Sequence, residues 1–150
     1  MREPVELTEG PLKILLIDDN RDHAKILQWA FKKNGRQDEF TYFEDGGIAL
    51  EYLRKLTAEQ AAKPDIIFLD LNLPRLDGRE VLRLLKEEET TKAIPVIIVS
   101  SSEREEDVRK AYELGASSYV SKSAILNDVN PMFQSMQASW SKATRNPNKI

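Results

Sequence analysis

The sequence predicts a single α/β domain in which helices cover both faces of a parallel sheet. Short runs of branched apolar residues recur along the chain, and stretches with helical spacing of apolar residues separate them. Five such strand–helix pairs, joined by short connections, are typical of a parallel sheet. The length of 150 residues is that of one domain with a sizeable core.

Three apolar runs predict strands that are buried on both faces, because they do not alternate with polar residues. They cover residues 12–17, 66–69 and 96–99. Two weaker strands are predicted at 40–43 and 118–120, where β-prone residues occur. Together the five strands predict one sheet.

Five stretches place apolar residues on one face of a helix. Ser102 and Glu105 have the spacing of a capping box, which predicts the start of the fourth helix. Asn130-Pro131 predicts the start of the fifth helix, because proline is tolerated in a first turn. The five predicted apolar faces are Ala24, Leu27, Ala30 and Phe31; Ala49, Leu50, Leu53 and Leu56; Val81, Leu82 and Leu85; Val108, Ala111 and Tyr112; and Val129, Met132, Phe133, Met136 and Trp140.

The chain ends are predicted to lie outside the packed domain. Residues 1–11 are expected to form a flexible leader, residues 12–143 the domain, and residues 144–150 a frayed tail. The polar leader lacks the apolar core of a signal peptide, and no apolar run approaches the roughly 20 residues that span a bilayer. We therefore expect a soluble, cytoplasmic protein with no membrane partner.

The composition excludes several kinds of chemistry. The absence of cysteine excludes disulfides, thiolate metal sites and cysteine nucleophiles, and the single histidine excludes a multi-histidine metal site. The chain has 22 basic residues against 25 acidic ones and a net charge of −3, which argues against a nucleic-acid surface. Any chemistry must therefore use oxygen and ammonium groups.

Polar side chains follow four of the predicted strands. Asp18 and Asp19 follow the first strand, Asp70 the third, Ser100 the fourth and Lys122 the fifth. In open parallel sheets, ligands bind at the carboxyl ends of the strands, so we expect these residues to meet. Three neighbouring carboxylates stay ionised only if a cation joins them, and an oxygen-rich site of this kind suits Mg²⁺.

This set of residues predicts phosphoryl chemistry. The carboxylate of Asp70 can attack a phosphorus centre and form an aspartyl phosphate. Mg²⁺ and Lys122 would neutralise the phosphoryl oxygens, and the hydroxyl of Ser100 could donate a hydrogen bond to them. The chain has no G-x-x-x-x-G-K-[ST] loop, which argues against ATP as the phosphoryl donor.

Each residue of the set also has a simpler interpretation. Asp18 and Asp19 could cap a helix, and Asp70 could end a strand at a turn. Ser100 alone is typical of a helix cap, and Lys122 alone of a solvated surface. Their joint placement at the ends of different strands favours the site. The lone His23 is interpreted as a partly exposed helix residue rather than a phosphorylation site.

The chain resembles a response-regulator receiver domain of bacterial two-component signalling over about residues 12–140. The resemblance implies a doubly wound, flavodoxin-like (βα)5 fold, a three-layer sandwich with strand order 2-1-3-4-5. The motifs that carry it are Ile17-Asp18-Asp19-Asn20, Leu69-Asp70-Leu71-Asn72-Leu73-Pro74, Asp77-Gly78, Ile98-Val99-Ser100-Ser101, Gly115-Ala116 and Tyr119-Val120-Ser121-Lys122.

The resemblance assigns roles to the residues at the strand ends. It implies that Asp70 accepts the phosphoryl group, and that Lys122 contacts the phosphoryl oxygens. It also implies that Asp18, Asp19 and Asp70 hold Mg²⁺ together with the backbone carbonyl of Asn72. Asn72 and Ser102 occupy positions that tune the lifetime of aspartyl phosphate in this family.

The resemblance further implies a switch made by Ser100 and Tyr119. Ser100 would move toward the phosphoryl group, and Tyr119 would turn into the vacated space. That movement would repack the surface of the fourth helix, fifth strand and fifth helix. The alternative is that Tyr119 is a fixed, half-buried strand tyrosine. Ser123 stands where the family usually has a proline, often after a cis bond, so the isomer of the Lys122–Ser123 bond is open.

The chain is expected to be a stand-alone receiver that signals by protein contact. Within the family it looks most like single-domain regulators paired with phytochrome-type histidine kinases, a likeness carried by residues 42–53 and a last helix ending at Trp140. The expected phosphoryl donor is a phosphohistidine of such a kinase. The expected output partner is a target protein, a phosphorelay member or a second copy bound through the surface of the fourth helix, fifth strand and fifth helix.

Two other function classes stay open. One is a pseudo-receiver that only binds protein, against which the intact acidic set and Lys122 argue. The other is an aspartate-dependent phosphatase, which would need a general acid two residues after Asp70, where this chain has Asn72. We expect no enzyme activity beyond self-catalysed phosphotransfer and slow autodephosphorylation.

Overall fold

The computed structural model describes residues 11–128, 130, 132–134, 136 and 138. The predicted tail and all but the last residue of the predicted leader lie outside this range. So do Val129, Pro131 and Trp140 of the predicted last helix. The proposed domain limits therefore stay predictions.

Five parallel strands form one sheet in the order β2-β1-β3-β4-β5. Each strand lies within one residue of its predicted limits, and the order agrees with the one that the family resemblance implies. Among the described residues no helix is long and apolar enough to cross a membrane. The strands are β1 (Lys13–Ile17), β2 (Glu39–Phe43), β3 (Ile66–Leu69), β4 (Val96–Ser100) and β5 (Ser118–Ser121).

The register of the strands aligns the residues that follow them. Ile17 pairs with Leu69, so Asp18 and Asp70 leave the sheet side by side. The backbone N–H of Asp70 donates to the carbonyl of Ile17 at 2.9 Å and extends the ladder by one residue. The parallel register thus brings two carboxylates together without any contribution from loops.

Five helices lie within residues 11–128, and three of them begin at a capping side chain. Asn20, Asp45 and Asp77 accept hydrogen bonds from backbone N–H groups in the first turns of the first three helices. Such caps satisfy donors that have no partner inside the helix. The helices are α1 (Arg21–Lys33), α2 (Gly46–Ala58), α3 (Gly78–Glu87), α4 (Glu105–Glu113) and α5 (Lys122–Asn127).

The sheet separates two apolar clusters, which confirms that the central strands are buried on both faces. Leu15 and Ile17 face the cluster formed with α2, α3 and α4. Ile14 and Leu16 face the cluster formed with α1 and the helical residues beyond Asp128. In this second cluster the ring of Phe31 makes edge contacts with the rings of Phe40, Phe68 and Phe133.

Helix α4 differs from its prediction in two ways. Tyr112 is 48% exposed and does not belong to the apolar face, on which only Ala111 is buried. The capping box is also wrong, because Arg104 occupies the cap position and makes no side-chain cap bond. The hydroxyl of Ser102 instead donates to Asp107, in the first turn of the helix, at 2.5 Å.

The end of the chain also differs from its prediction. Helix α5 begins at Lys122, directly after β5, whereas the sequence predicts that the fifth helix begins at Asn130. Helical residues occur again beyond Asp128, and there Met132, Phe133 and Met136 are buried as predicted.

Gly78 marks a close approach between helix α3 and the residues that follow β3. A Cβ atom at this position would lie 2.2 Å from the carbonyl oxygen of Asp70 and 2.6 Å from the Cα of Leu71. The backbone N–H of Gly78 donates to the carbonyl of Leu71 at 2.9 Å. Helix α3 can therefore begin against the residues after β3 only if this position has no side chain.

We predict that Gly78→Ala lowers the free energy of unfolding by about 3 kcal/mol, because the new methyl group would collide with backbone atoms. Gly47→Ala is the matched control, since its Cβ would meet only the side chain of Asp45 at 3.2 Å. This control should stay within about 1 kcal/mol of the wild type. Urea denaturation of both variants measures the difference, and equal midpoints would contradict the close approach.

Candidate functional site

Three aspartates meet at the carboxyl ends of β1 and β3. One carboxylate oxygen from each of Asp18, Asp19 and Asp70 lies within 4.8 Å of the others. Asp18 and Asp70 are only 3% and 4% exposed, whereas Asp19 is exposed to solvent. Two carboxylates of the acidic cluster are therefore buried, and the third is in contact with solvent.

Lys122 pairs with both buried carboxylates. Its Nζ lies 2.9 Å from Oδ2 of Asp18 and 2.9 Å from Oδ2 of Asp70. The other oxygens of these carboxylates accept backbone N–H groups, from Asn20 at 2.9 Å and from Asn72 at 3.1 Å. Lys122 is itself buried, so it does not have the solvated position that a lone surface lysine would have.

The charges of this site are unbalanced toward the acidic side. Burial raises the pKa of Asp18, and the N–H of Asn20 and the ammonium of Lys122 offset part of the rise. Burial also disfavours the charge on Lys122, but its hydrogen bonds to Asp70 and Asp18 outweigh this and raise the pKa of the ammonium. The cluster thus contains three carboxylates and one ammonium, which pairs with two of them.

The arrangement of oxygens suits a hard divalent cation. Carboxylate oxygens are preferred ligands of Mg²⁺, which keeps several waters and binds few protein groups. The exposed Asp19 lies on the side from which such an ion and its waters can enter. A cation here would also relieve the repulsion among the three carboxylates.

The two predicted switch residues contact the same residue of the loop between β4 and α4. Ser100 is fully buried, and its Oγ accepts the N–H of Ser102 at 3.3 Å. Tyr119 is half-buried against the cluster of α2, α3 and α4, and its hydroxyl donates to the carbonyl of Ser102 at 2.9 Å. The tyrosine is therefore turned toward this loop.

Two questions left by the sequence have structural answers. The Lys122–Ser123 bond is trans, since no peptide bond among the described residues is cis. His23 is half-buried in α1, in agreement with its prediction, and its backbone N–H donates to the cap residue Asn20 at 3.1 Å.

Tyr42 is a residue of the site that the sequence analysis missed. Its hydroxyl donates to the backbone carbonyl of Asp18 at 2.7 Å from the neighbouring strand β2. Burial raises the pKa of Tyr42 to about 12, and the charges of Glu44 and Asp18 add to the rise. The only available signal was an aromatic hydroxyl near the end of a strand predicted as an ordinary edge strand.

A family model described as "Response regulator receiver domain" matches residues 14–133. The chain belongs to this family. This match confirms the family resemblance drawn from the motifs. Receiver domains of this kind are parts of two-component signalling systems.

Two curated relatives are similar over most of their own length. Response regulator Rcp1 from Synechocystis sp. is 36% identical over 131 residues, which cover 87% of this chain and 89% of Rcp1. Probable methanogenesis regulatory protein FilR2 from Methanothrix harundinacea is 34% identical over 139 residues, which cover 93% of this chain and 90% of FilR2.

Two solved structures confirm the fold. The Mn²⁺-bound form of response regulator Rcp1 has a TM-score of 0.73 at 36% identity and covers 87% of this chain and 94% of that one. The phosphorylated cyanobacterial phytochrome response regulator RcpA has a TM-score of 0.75 at 36% identity and covers 88% of this chain and 95% of that one. The receiver is thus homologous to phytochrome response regulators.

We predict that Tyr42→Phe lowers the free energy of unfolding by about 1 kcal/mol, through loss of the hydrogen bond to Asp18. The raised pKa means that the folded state holds the phenolic proton more tightly than the unfolded state. The stabilisation is therefore full below the ordinary pKa of 10.0 and disappears as the pH rises through about 12.

The measurement is urea denaturation of the wild type and Tyr42→Phe at neutral and alkaline pH. The difference between them should shrink as the pH rises. Tyr112→Phe removes an exposed phenol and should stay within about 0.5 kcal/mol of the wild type. A Tyr42→Phe variant as stable as Tyr112→Phe would show that the contact with Asp18 contributes nothing.

Proposed function

We propose that this chain is a phosphoacceptor response regulator that receives a phosphoryl group on Asp70 from the phosphohistidine of a histidine kinase. The observation that carries the proposal is the place of Asp70 after the central strand β3. It is flanked by the acidic residues after β1 and by Ser100 on β4, and Lys122 binds it at 2.9 Å. Asp70 thus has carboxylate, ammonium and hydroxyl groups near it, the groups that a phosphoryl acceptor of this kind requires.

The transfer exchanges one bond to phosphorus for another. A carboxylate oxygen of Asp70 forms a bond to phosphorus as the bond from phosphorus to the kinase imidazole breaks, and the ring nitrogen keeps the electron pair. Lys122, already bound to the carboxylate, remains beside the oxygens onto which negative charge moves. The shared contact with Asp18 holds this ammonium in place during the exchange.

Mg²⁺ is the proposed cofactor, held by Asp18, Asp19, Asp70 and the backbone carbonyl of Asn72. When bound, it would neutralise phosphoryl oxygens that Lys122 alone leaves uncompensated. The cluster of three carboxylates, two of which share the ammonium of Lys122, supports this role. The similar Rcp1 has been crystallised in a Mn²⁺-bound form, which supports a divalent cation as the cofactor of this chain.

The proposed output is a change in the surface formed by α4, β5 and the helices that follow β5. Ser100 would move toward the phosphoryl group, and Tyr119 would turn into the space that Ser100 leaves. Their shared contact with Ser102 supports a coupled movement. This surface would bind a downstream target, a phosphorelay member or a second copy of the chain.

A phytochrome-type histidine kinase is the proposed donor. The support is the similarity to RcpA, which is described as a phytochrome response regulator and has been crystallised in phosphorylated form. Phosphotransfer from a panel of histidine kinases of the host tests this part of the proposal, and fastest transfer from a kinase of another class would contradict it.

We predict that the wild type, incubated with acetyl phosphate and Mg²⁺, gains one acid-labile phosphoryl group, and that Asp70→Asn gains none. Mass spectrometry of the intact protein measures both. Asp22→Asn, an exposed aspartate in the first turn of α1, is the matched control and should be phosphorylated like the wild type.

Each contrary result has a definite meaning. A wild type that gains no adduct would favour the pseudo-receiver, and equal labelling of Asp70→Asn would place the acceptor elsewhere. Catalytic turnover of a metabolite phosphoester would favour the phosphatase.

We also predict that Asp19→Asn weakens Mg²⁺ binding by about tenfold or more, because even the loss of a partner outside the ligand set often costs this much. Asp19 is exposed, so the fold should tolerate the change. Calorimetric titration with Mg²⁺ measures the affinity, with Asp22→Asn again as control. Equal affinities for the two variants would remove Asp19 from the proposed ligands.

A further inference from the structure

We propose that Arg79 and Asp107 are positioning residues that tie the start of α3 to Ser102 and thereby hold the loop after β4 in contact with Tyr119. The inference rests on the proposed function, because it concerns how the phosphoryl site is coupled to its output. The three residues Arg79, Asp107 and Ser102 are called the latch below.

Ser102 is the point at which the latch meets the switch residues. Its N–H donates to Ser100, and its carbonyl accepts the hydroxyl of Tyr119. Its own hydroxyl donates to Oδ2 of Asp107 at 2.5 Å. The backbone of Ser102 is therefore used by the switch, and its side chain is used by α4.

The carboxylate of Asp107 bridges two elements. Nη2 of Arg79 donates to its Oδ1 at 2.8 Å, while Ser102 occupies the other oxygen. The Ser102 hydroxyl first, and Arg79 second, lower the pKa of Asp107 and keep it charged. The side chains of Arg79 and Asp107 are 30% and 17% exposed, so solvent screens this pair less than a fully exposed one.

Helix α4 depends on such polar contacts because it contributes so little to the core. Ala111 is the one buried residue among its nine, whereas α3 buries Gly78, Val81, Leu82 and Leu85. Since apolar burial supplies most of the packing free energy of a helix, α3 is well anchored and α4 is not. The latch therefore attaches the loop after β4 and the start of α4 to α3, the helix that is better anchored in the core.

The anchored end of α3 is also in contact with the phosphoryl site. Gly78, next to Arg79, packs directly against the backbone of Asp70 and Leu71. A displacement of the chain at Asp70 would thus be transmitted to Arg79 and from there to the loop. This route reaches Tyr119 without involving the hydroxyl of Ser100.

The latch favours one of two arrangements of the loop after β4. It stabilises the observed arrangement, in which Tyr119 packs against the core and binds Ser102. This inward position is the one that Tyr119 is expected to take when Asp70 is phosphorylated. If a ligand binds only this arrangement, its apparent affinity falls in proportion to the fraction of molecules that adopt it. Loss of the latch should therefore weaken binding of a phosphoryl mimic at Asp70, although no latch residue belongs to the proposed acceptor or metal ligands.

The test measures the affinity of the full chain for beryllofluoride in the presence of Mg²⁺. Arg79→Gln and Asp107→Asn should each raise the Kd by about fivefold or more, and the double variant by no more than either. In a Tyr119→Phe background, Asp107→Asn should have no further effect. Arg83→Gln is the matched control on α3 and should leave the Kd unchanged, because within the described part of the chain Arg83 pairs with Glu80 and Glu87 of its own helix.

Urea denaturation of the same variants separates positioning from a structural role. A merely structural pair would lower the free energy of unfolding and leave the Kd unchanged, and that result would overturn the latch. Additive effects of Asp107→Asn and Tyr119→Phe would overturn it as well.

A wild type that binds no beryllofluoride would count against the proposed function and not against the latch. A second measurement tests the latch in that case. In protein labelled with 3-fluorotyrosine, Asp107→Asn should shift the fluorine resonance of Tyr119, and Arg83→Gln should not. An unchanged Tyr119 resonance in Asp107→Asn would refute the latch independently of phosphoryl chemistry.

Discussion

The bond of Lys122 to two buried carboxylates is the interaction on which the rest of the site depends. A buried charge is costly unless it is paired and hydrogen-bonded, and here each buried carboxylate has both the ammonium and a backbone N–H. The lysine comes from the chain after β5, whereas the carboxylates follow β1 and β3. One side chain therefore joins three strand ends that only the parallel register brings together.

The two faces of the sheet contribute differently to this arrangement. The cluster with α1 contains three aromatic edge contacts, all made by the ring of Phe31. The cluster with α2, α3 and α4 contains the close approach of Gly78 and the ring of Tyr119, so changes at Asp70 have neighbours to act on there. The polar site thus lies at the end of a sheet with an aromatic layer on one face and, on the other, the layer that contains Gly78 and Tyr119.

The parts of the structure that follow from local pattern could be predicted from the sequence. Branched apolar runs predicted the strands, and because parallel strands end at one edge, the polar residues after them predicted the gathering of Asp18, Asp70 and Lys122. Contacts between distant side chains, such as Tyr42 with Asp18, depend on how elements are placed and left no local signal. The face of α4 was misjudged at Tyr112, because nine residues with a single buried alanine do not determine the rotation of a helix.

The sparse burial of α4 has a consequence for the motions of the molecule. Parts of a protein with few buried apolar contacts open locally at a free energy well below that of global unfolding. We therefore expect helix α4 to open locally while β4 and the acidic cluster stay folded, and its amide protons to exchange with solvent far sooner than those of β3. A signal that reaches a partner through this helix therefore requires only the local opening of α4 and the loop before it. It does not require unfolding of the whole domain.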